Sequence, residues 1–99
     1  MNGAPYSRST DGVLGLSGKA IRVYAICIDS TAGGASVVAF HNGTSASDTK
    51  FLTGTGTVSK AVLVPDIPAS GLLFPSGLYV DVDGNTNNVT VWLEVVSRN

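Results

Sequence analysis

The residues best placed to bind an ion are Asp81, Asp83 and Asn85, near the C-terminal end of the chain. Oxygen-bearing side chains at every second position resemble the start of a calcium-binding loop. The rest of that pattern is missing, because Thr86 stands where the loop needs glycine and Trp92 where it needs a bidentate glutamate. The three residues are therefore a weak metal candidate. We expect turn-forming and solubilising roles for them, with no metal or cofactor.

Catalysis by a nucleophile or by a general acid and base has few candidates, since the chain contains one histidine, His41, and one cysteine, Cys27. No serine lies in a G-x-S-x-G elbow, and His41 and Cys27 share no metal-ligand spacing with other residues. Cys27 lies in an apolar strand pattern and is expected to be a buried, inert thiol. His41, at a strand end, is expected at the surface. The sequence therefore predicts a protein that is not an enzyme.

Two aromatic residues, Tyr79 and Trp92, stand on the polar positions of alternating segments. Outward aromatic rings can anchor a protein interface, where Trp and Tyr are enriched. They can also cover their own sheet, or stack on sugar rings as in a carbohydrate-binding or adhesin-type module. The interface is the preferred interpretation, and the sugar platform is its alternative.

The strongest early strand pattern covers residues 20–28. Its odd positions are apolar and should face the core, namely Ile21, Val23, Ala25 and Cys27. The even positions begin polar, at Arg22 and Tyr24, and then become apolar at Ile26 and Ile28, so a loop, the N-terminal arm or another chain should cover them. The candidate interface residues are Tyr79, Trp92, Ile26, Ile28, Tyr24 and Tyr6.

The C-terminal part alternates most regularly, over residues 78–83 and 89–95. This pattern predicts a hairpin with one apolar face, in which Tyr79 lies opposite Trp92. A further strand at 36–41 should direct Val38 and Phe40 inward.

The fold class follows from these short apolar runs, which turn-forming residues separate throughout the chain. About seven strands without any helical period predict an all-β protein, an antiparallel two-sheet sandwich of the jelly-roll or immunoglobulin-like kind. Residues 1–11, rich in Gly, Ser, Pro and Asn, predict a flexible N-terminal arm that could order against a neighbouring subunit. Residues 12–99 form the predicted sandwich domain.

The composition limits the partners of this 99-residue chain. A net charge of -1 with no basic run argues against nucleic acid, and no apolar stretch approaches the ~20 residues that cross a bilayer. The start of the chain lacks a signal-peptide pattern, so cytoplasmic synthesis is expected. Charged residues make up only 13% of the chain, about half the usual fraction. Either a Thr/Ser/Asn-rich surface or coverage by partner subunits explains this value.

Two segments carry a resemblance, Phe40-His41-Asn42-Gly43-Thr44 and residues 71–80, Gly-Leu-Leu-Phe-Pro-Ser-Gly-Leu-Tyr-Val. From about Gly12 to Val96 the chain resembles small β-sandwich virion proteins of tailed bacteriophages. The resemblance implies a capsid decoration (cement) protein that forms a homo-oligomer, binds the major capsid protein and stabilises the phage head. It implies a place in the virion after assembly in the host cytoplasm. A connector or tail role stays open.

Overall fold

The computed structural model describes residues 3–65 and 67–96. These residues contain no helix, and hence none long and apolar enough to cross a membrane. They form nine strands: β1 (Ala4–Arg8), β2 (Gly12–Leu14), β3 (Ala20–Ser30), β4 (Val37–Asn42), β5 (Thr49–Thr55), β6 (Ala61–Leu63), β7 (Leu72–Phe74), β8 (Leu78–Asp81) and β9 (Thr86–Val96). The two strands beyond the predicted seven are the short β1 and β2.

The strands form two antiparallel sheets, which confirms the predicted two-sheet all-β fold. Sheet 1 has the order β1-β9-β3-β6, with β7 also paired to β3. Sheet 2 has the order β2-β8-β4-β5. The core lies between them, and Val38 and Phe40 of sheet 2 are fully buried there, as predicted. Phe74 of sheet 1 is the other large aromatic residue of this core.

A β-bulge in β3 reverses its alternation halfway along. Val23 pairs with Leu93 and Ala25 with Trp92, which leaves Tyr24 as an extra residue. An extra residue turns every later side chain to the opposite face. Ile21 and Val23 face the core as predicted, but after the bulge the buried residues are Ile26 and Ile28. The prediction of core positions for Ala25 and Cys27 is therefore wrong, since both are partly exposed.

The same bulge corrects the predicted interface. Ile26 and Ile28 are fully buried inside the domain's own core, so they offer no surface to another chain. Their apolar character reflects the change of face within the strand. No second chain is needed to cover them.

The predicted C-terminal hairpin is wrong, because β8 belongs to sheet 2 and β9 to sheet 1. The alternation itself is confirmed, since Leu78, Val80, Val89 and Val91 are all buried. Alternation reports which face of a strand is buried, and it does not identify the neighbouring strand. The turn between β8 and β9 carries the chain from one sheet to the other.

The arm predicted for residues 1–11 is paired with sheet 1 over five residues, Ala4–Arg8. β1 runs antiparallel to β9, from Ala4 opposite Leu93 to Arg8 opposite Val89. The Arg8 guanidinium donates hydrogen bonds to the carbonyls of Thr10, Val13 and Asp11, which holds the link to β2. Main-chain pairing with an edge strand needs little side-chain burial, so a polar composition does not prevent it. Residues 1 and 2 lie outside the described residues.

The bulge predicts that substitutions at two adjacent residues of β3 differ strongly in their effect on the free energy of unfolding. Ile28→Ala should lower the free energy of unfolding by about 2–5 kcal/mol, because it opens a cavity in the core. Cys27→Ala should change it by no more than about 0.5 kcal/mol, because that side chain points away from the core. Urea denaturation of both variants measures the difference. Equal effects would contradict the reversed alternation.

Candidate functional site

The outer face of sheet 1 contains a continuous uncharged area. Thr90 and Trp92 point outward there, because Val89, Val91 and Leu93 between and beside them are buried. Directly opposite residues on neighbouring antiparallel strands share a face. The register therefore produces two adjacent rows, which we call the Trp92 surface: Pro5, Trp92 and Ala25, then Ser7, Thr90, Cys27 and Leu63.

The Trp92 surface carries no charged residue, and its polar groups are largely satisfied within it. Ser7 Oγ and Thr90 Oγ1 are hydrogen-bonded at 2.9 Å. The Trp92 side chain is half-buried between the smaller Pro5 and Ala25. Leu63, at the β6 edge, is 61% exposed. What remains open to solvent is therefore mostly apolar.

Charged residues border this surface at both ends. Arg22 and Glu94 are opposite each other on β3 and β9, beyond the Trp92 row. Asp29 lies beyond the other row, opposite Asn88. An apolar centre with a polar rim is the arrangement found in protein interfaces.

Two further interface candidates, Tyr24 and Tyr6, line a shallow depression of about 400 Å³ at the Glu94 end of sheet 1. The Tyr24 hydroxyl donates a hydrogen bond to Glu94 Oε1 at 2.9 Å. That hydrogen bond, followed by burial and the charge of Glu94, raises the pKa of Tyr24, and Arg22 opposes the shift. Tyr24 thus lies near one end of the Trp92 surface, whereas Tyr6 is opposite the buried Val91 and belongs to the inner side of the edge strand β1.

Tyr79 lies elsewhere, on the outer face of sheet 2. It stands opposite Val13 on one side and His41 on the other, and its ring meets the His41 ring edge-on at 6.1 Å. The predicted opposition of Tyr79 and Trp92 is therefore wrong, since the two rings occupy the outer faces of different sheets. A sugar-binding platform formed by both rings is excluded.

His41 is buried, not at the surface as predicted, with only 7% of the residue exposed. Its Nδ1 donates a hydrogen bond to the main-chain oxygen of Asp48 at 2.9 Å. Its Nε2 has no hydrogen-bond partner among the described residues and lies 4.0 Å from Asp81 Oδ2. Asp48, at the end of the loop 43–48, thus fixes one side of the ring, and no motif in the sequence indicates this contact.

The weak metal candidate does not form a site, because its three residues have separate partners. Asp83 accepts hydrogen bonds from the Val37 N–H and, through its other oxygen, from the Asn85 N–H. Asp81 faces His41, and Asn85 lies against the glycine turn at 33–34. Within residues 3–65 and 67–96, no cluster of His, Cys, Asp or Glu could hold a metal ion.

The hydrogen bonds of Asp48, in the loop next to His41, predict how the stability of the protein depends on pH. Asp48 accepts hydrogen bonds from the N–H groups of Thr44 and Ser45 at 2.8 and 3.0 Å, and these lower the pKa of its carboxyl group. A lowered folded-state pKa contributes stability above the unfolded value of 3.8, and this contribution disappears as the pH falls through the folded value. Asp48→Ala should therefore lower Tm at pH 7.

The measurement is a pair of thermal melts over a pH series. The difference in Tm between wild type and Asp48→Ala should be constant above the unfolded pKa and shrink below it. Asp29→Ala, on the outer face of sheet 1, is the control, because the Asp29 carboxylate accepts no hydrogen bond within residues 3–65 and 67–96. A difference independent of pH would contradict the role given to the Asp48 carboxylate.

The chain was compared with protein-family models, with curated proteins and with solved structures, and none of them matches. The feature with the strongest functional character is the Trp92 surface.

Proposed function

We propose that this protein is a non-enzymatic structural protein of a virion, a capsid decoration (cement) protein that self-associates and stabilises a phage head. The observation that carries the proposal is the Trp92 surface, an uncharged area across four strands that contains the partly exposed indole of Trp92. Its partner is the major capsid protein.

The composition of this surface supports a role in protein association. Interface centres are depleted in charged residues and enriched in aromatic ones, and truncation of a central Trp often removes much of the binding energy. Trp92 has this position, and Leu63 adds exposed apolar area at the edge. A hydroxyl pair such as Ser7 and Thr90 adds no unpaired polar group to be desolvated.

The choice of a virion rests on the resemblance in the segments 40–44 and 71–80, together with the low charge of the chain. A chain with only 13% charged residues suits a protein that is largely covered by its neighbours. The only histidine has one ring nitrogen committed to a main-chain carbonyl, which supports a structural role over a catalytic one.

The proposal predicts that a major capsid protein is encoded near the gene for this chain, and that the chain co-sediments with the capsids it forms. Trp92→Ala should reduce the bound fraction at a fixed concentration by about tenfold or more, because interface tryptophans contribute on the order of 2 kcal/mol. Sedimentation of capsids with wild-type and variant proteins measures this change.

Tyr79→Ala is the matched control, an aromatic truncation on the outer face of sheet 2. It should leave co-sedimentation within about twofold of wild type. Equal losses in both variants, or no co-sedimentation of the wild-type chain, would overturn the proposal.

A further inference from the structure

The edges of the two sheets are not equally protected. Three edge strands, β2, β6 and β7, contain only 3 residues each. The fourth, β1, contains Pro5, which cannot donate to a neighbouring strand. By contrast, β5 has 7 residues and no proline, and it pairs only with β4 within residues 3–65 and 67–96. Short strands, prolines, lysines and bulges are the usual protection against edge-to-edge association. In β5, Lys50 and the bulge residue Phe51 both lie near its start, so residues 52–55 are the stretch of edge that the described part of the chain leaves open.

The hydrogen-bond pattern shows which main-chain groups point to the open side of β5. The Gly56 N–H donates to the Ser36 carbonyl at 2.8 Å. Hydrogen-bonded and non-hydrogen-bonded pairs alternate in an antiparallel ladder, so Gly54 also directs its N–H and C=O toward β4. Thr53 and Thr55 therefore direct theirs away from β4. In agreement, the Val37 N–H, opposite Thr55, donates to the Asp83 carboxylate instead of to β5.

Exposed apolar side chains are concentrated beside this edge. Phe51 of β5 is 42% exposed, although its ring packs on Phe74 with centroids 5.3 Å apart. Val58, in the turn after β5, is 46% exposed, and Val37, opposite Thr55 on β4, is 50% exposed. Between the two sheet edges runs a groove of about 320 Å³, which Leu52 helps to line.

We propose that β5 pairs antiparallel with β5 of a second copy of this chain, about a two-fold axis at Thr53. Each copy then supplies the N–H and C=O groups that the other lacks, as an isologous contact requires. This β5 contact is the one through which the protein would self-associate, and only in this respect does the inference rest on the proposed function. It joins two four-stranded sheets into one continuous sheet.

The side chains of β5 are self-complementary in this register. Leu52 lies opposite Gly54 of the copy, a buried glycine that is packed on Ile28 and Val64 of its own core and presents no Cβ to Leu52. Lys50, the only charged residue of β5, lies beyond the bulge at Phe51, so the two copies of Lys50 are at opposite ends of the contact and like charges are not brought together. Thr53 lies opposite its own copy, and threonine pairs across strands are favourable.

A pair of substitutions at Thr53 tests the main-chain contact. Thr53→Pro removes the outward N–H at the two-fold axis, in both copies at once, at an edge position that tolerates proline. Thr53→Ala keeps the N–H. Sedimentation velocity at about 100 µM should give a dimer for wild type and Thr53→Ala, while Thr53→Pro should weaken the dimer by about 30-fold or more. Circular dichroism checks that each variant is folded.

Cross-linking provides a second measurement, which does not depend on the folding of the proline variant. In a Cys27→Ala background, Thr53→Cys should form an intermolecular disulfide, since hydrogen-bonded antiparallel pairs have Cα atoms about 5.5 Å apart, within the disulfide range. Ala61→Cys, on the exposed edge strand β6, is the control and should stay largely unlinked. A monomeric wild type at about 100 µM, an unaffected Thr53→Pro dimer, or equal cross-linking at both positions would overturn the inference.

These experiments use the isolated protein, so their outcome is separate from capsid binding. A protein that dimerises through β5 but does not bind capsids refutes the decoration role alone. A monomer that binds capsids refutes the β5 contact and the self-association, and leaves capsid binding in place.

Discussion

The pairing of β3 with β9 is the constraint on which the rest of the structure depends. Each strand has 11 residues, and they run antiparallel through the middle of sheet 1. β1 adds to the free side of β9, while β6 and β7 add to the free side of β3. Because the bulge at Tyr24 lies inside this pair, it decides which side chains of β3 enter the core. The same bulge places Ala25 beside Trp92 and Cys27 beside Thr90, which creates the uncharged rows of the outer face.

The two outer faces differ in physical character. On sheet 2, the charged and ring-bearing residues serve the fold itself, since Asp48 holds the loop next to His41 and Asp83 holds the end of β4 through the Val37 N–H. On sheet 1, the Trp92 surface makes few polar contacts that the domain needs. A surface whose side chains make few contacts within their own domain can bind a partner without loss of those contacts. This difference favours the outer face of sheet 1 as the site of association.

The proposed contacts use different chemistry and can act together. The Trp92 surface would bind through burial of apolar area, while the β5 edge would bind through main-chain hydrogen bonds that almost any side chain permits. They lie on different sheets, so that one contact does not block the other. A small domain with one face and one edge available can both bind a shell and link its own copies, which is how a decoration protein would stabilise a particle.

The sequence by itself determined the all-β class, the two-sheet architecture and most of the buried positions, since a period of two is a local property of each strand. Val38, Phe40, Val89 and Val91 could be assigned to the core from their spacing alone. Only the tertiary structure decided the neighbours of each strand, because hydrogen-bond partners come from distant parts of the chain. The hairpin of β8 and β9, the free arm and the pair of Tyr79 with Trp92 were wrong for this reason. The bulge at Tyr24 also escaped prediction: a single extra residue reverses all later positions, yet it leaves a sequence that still alternates on both sides of it.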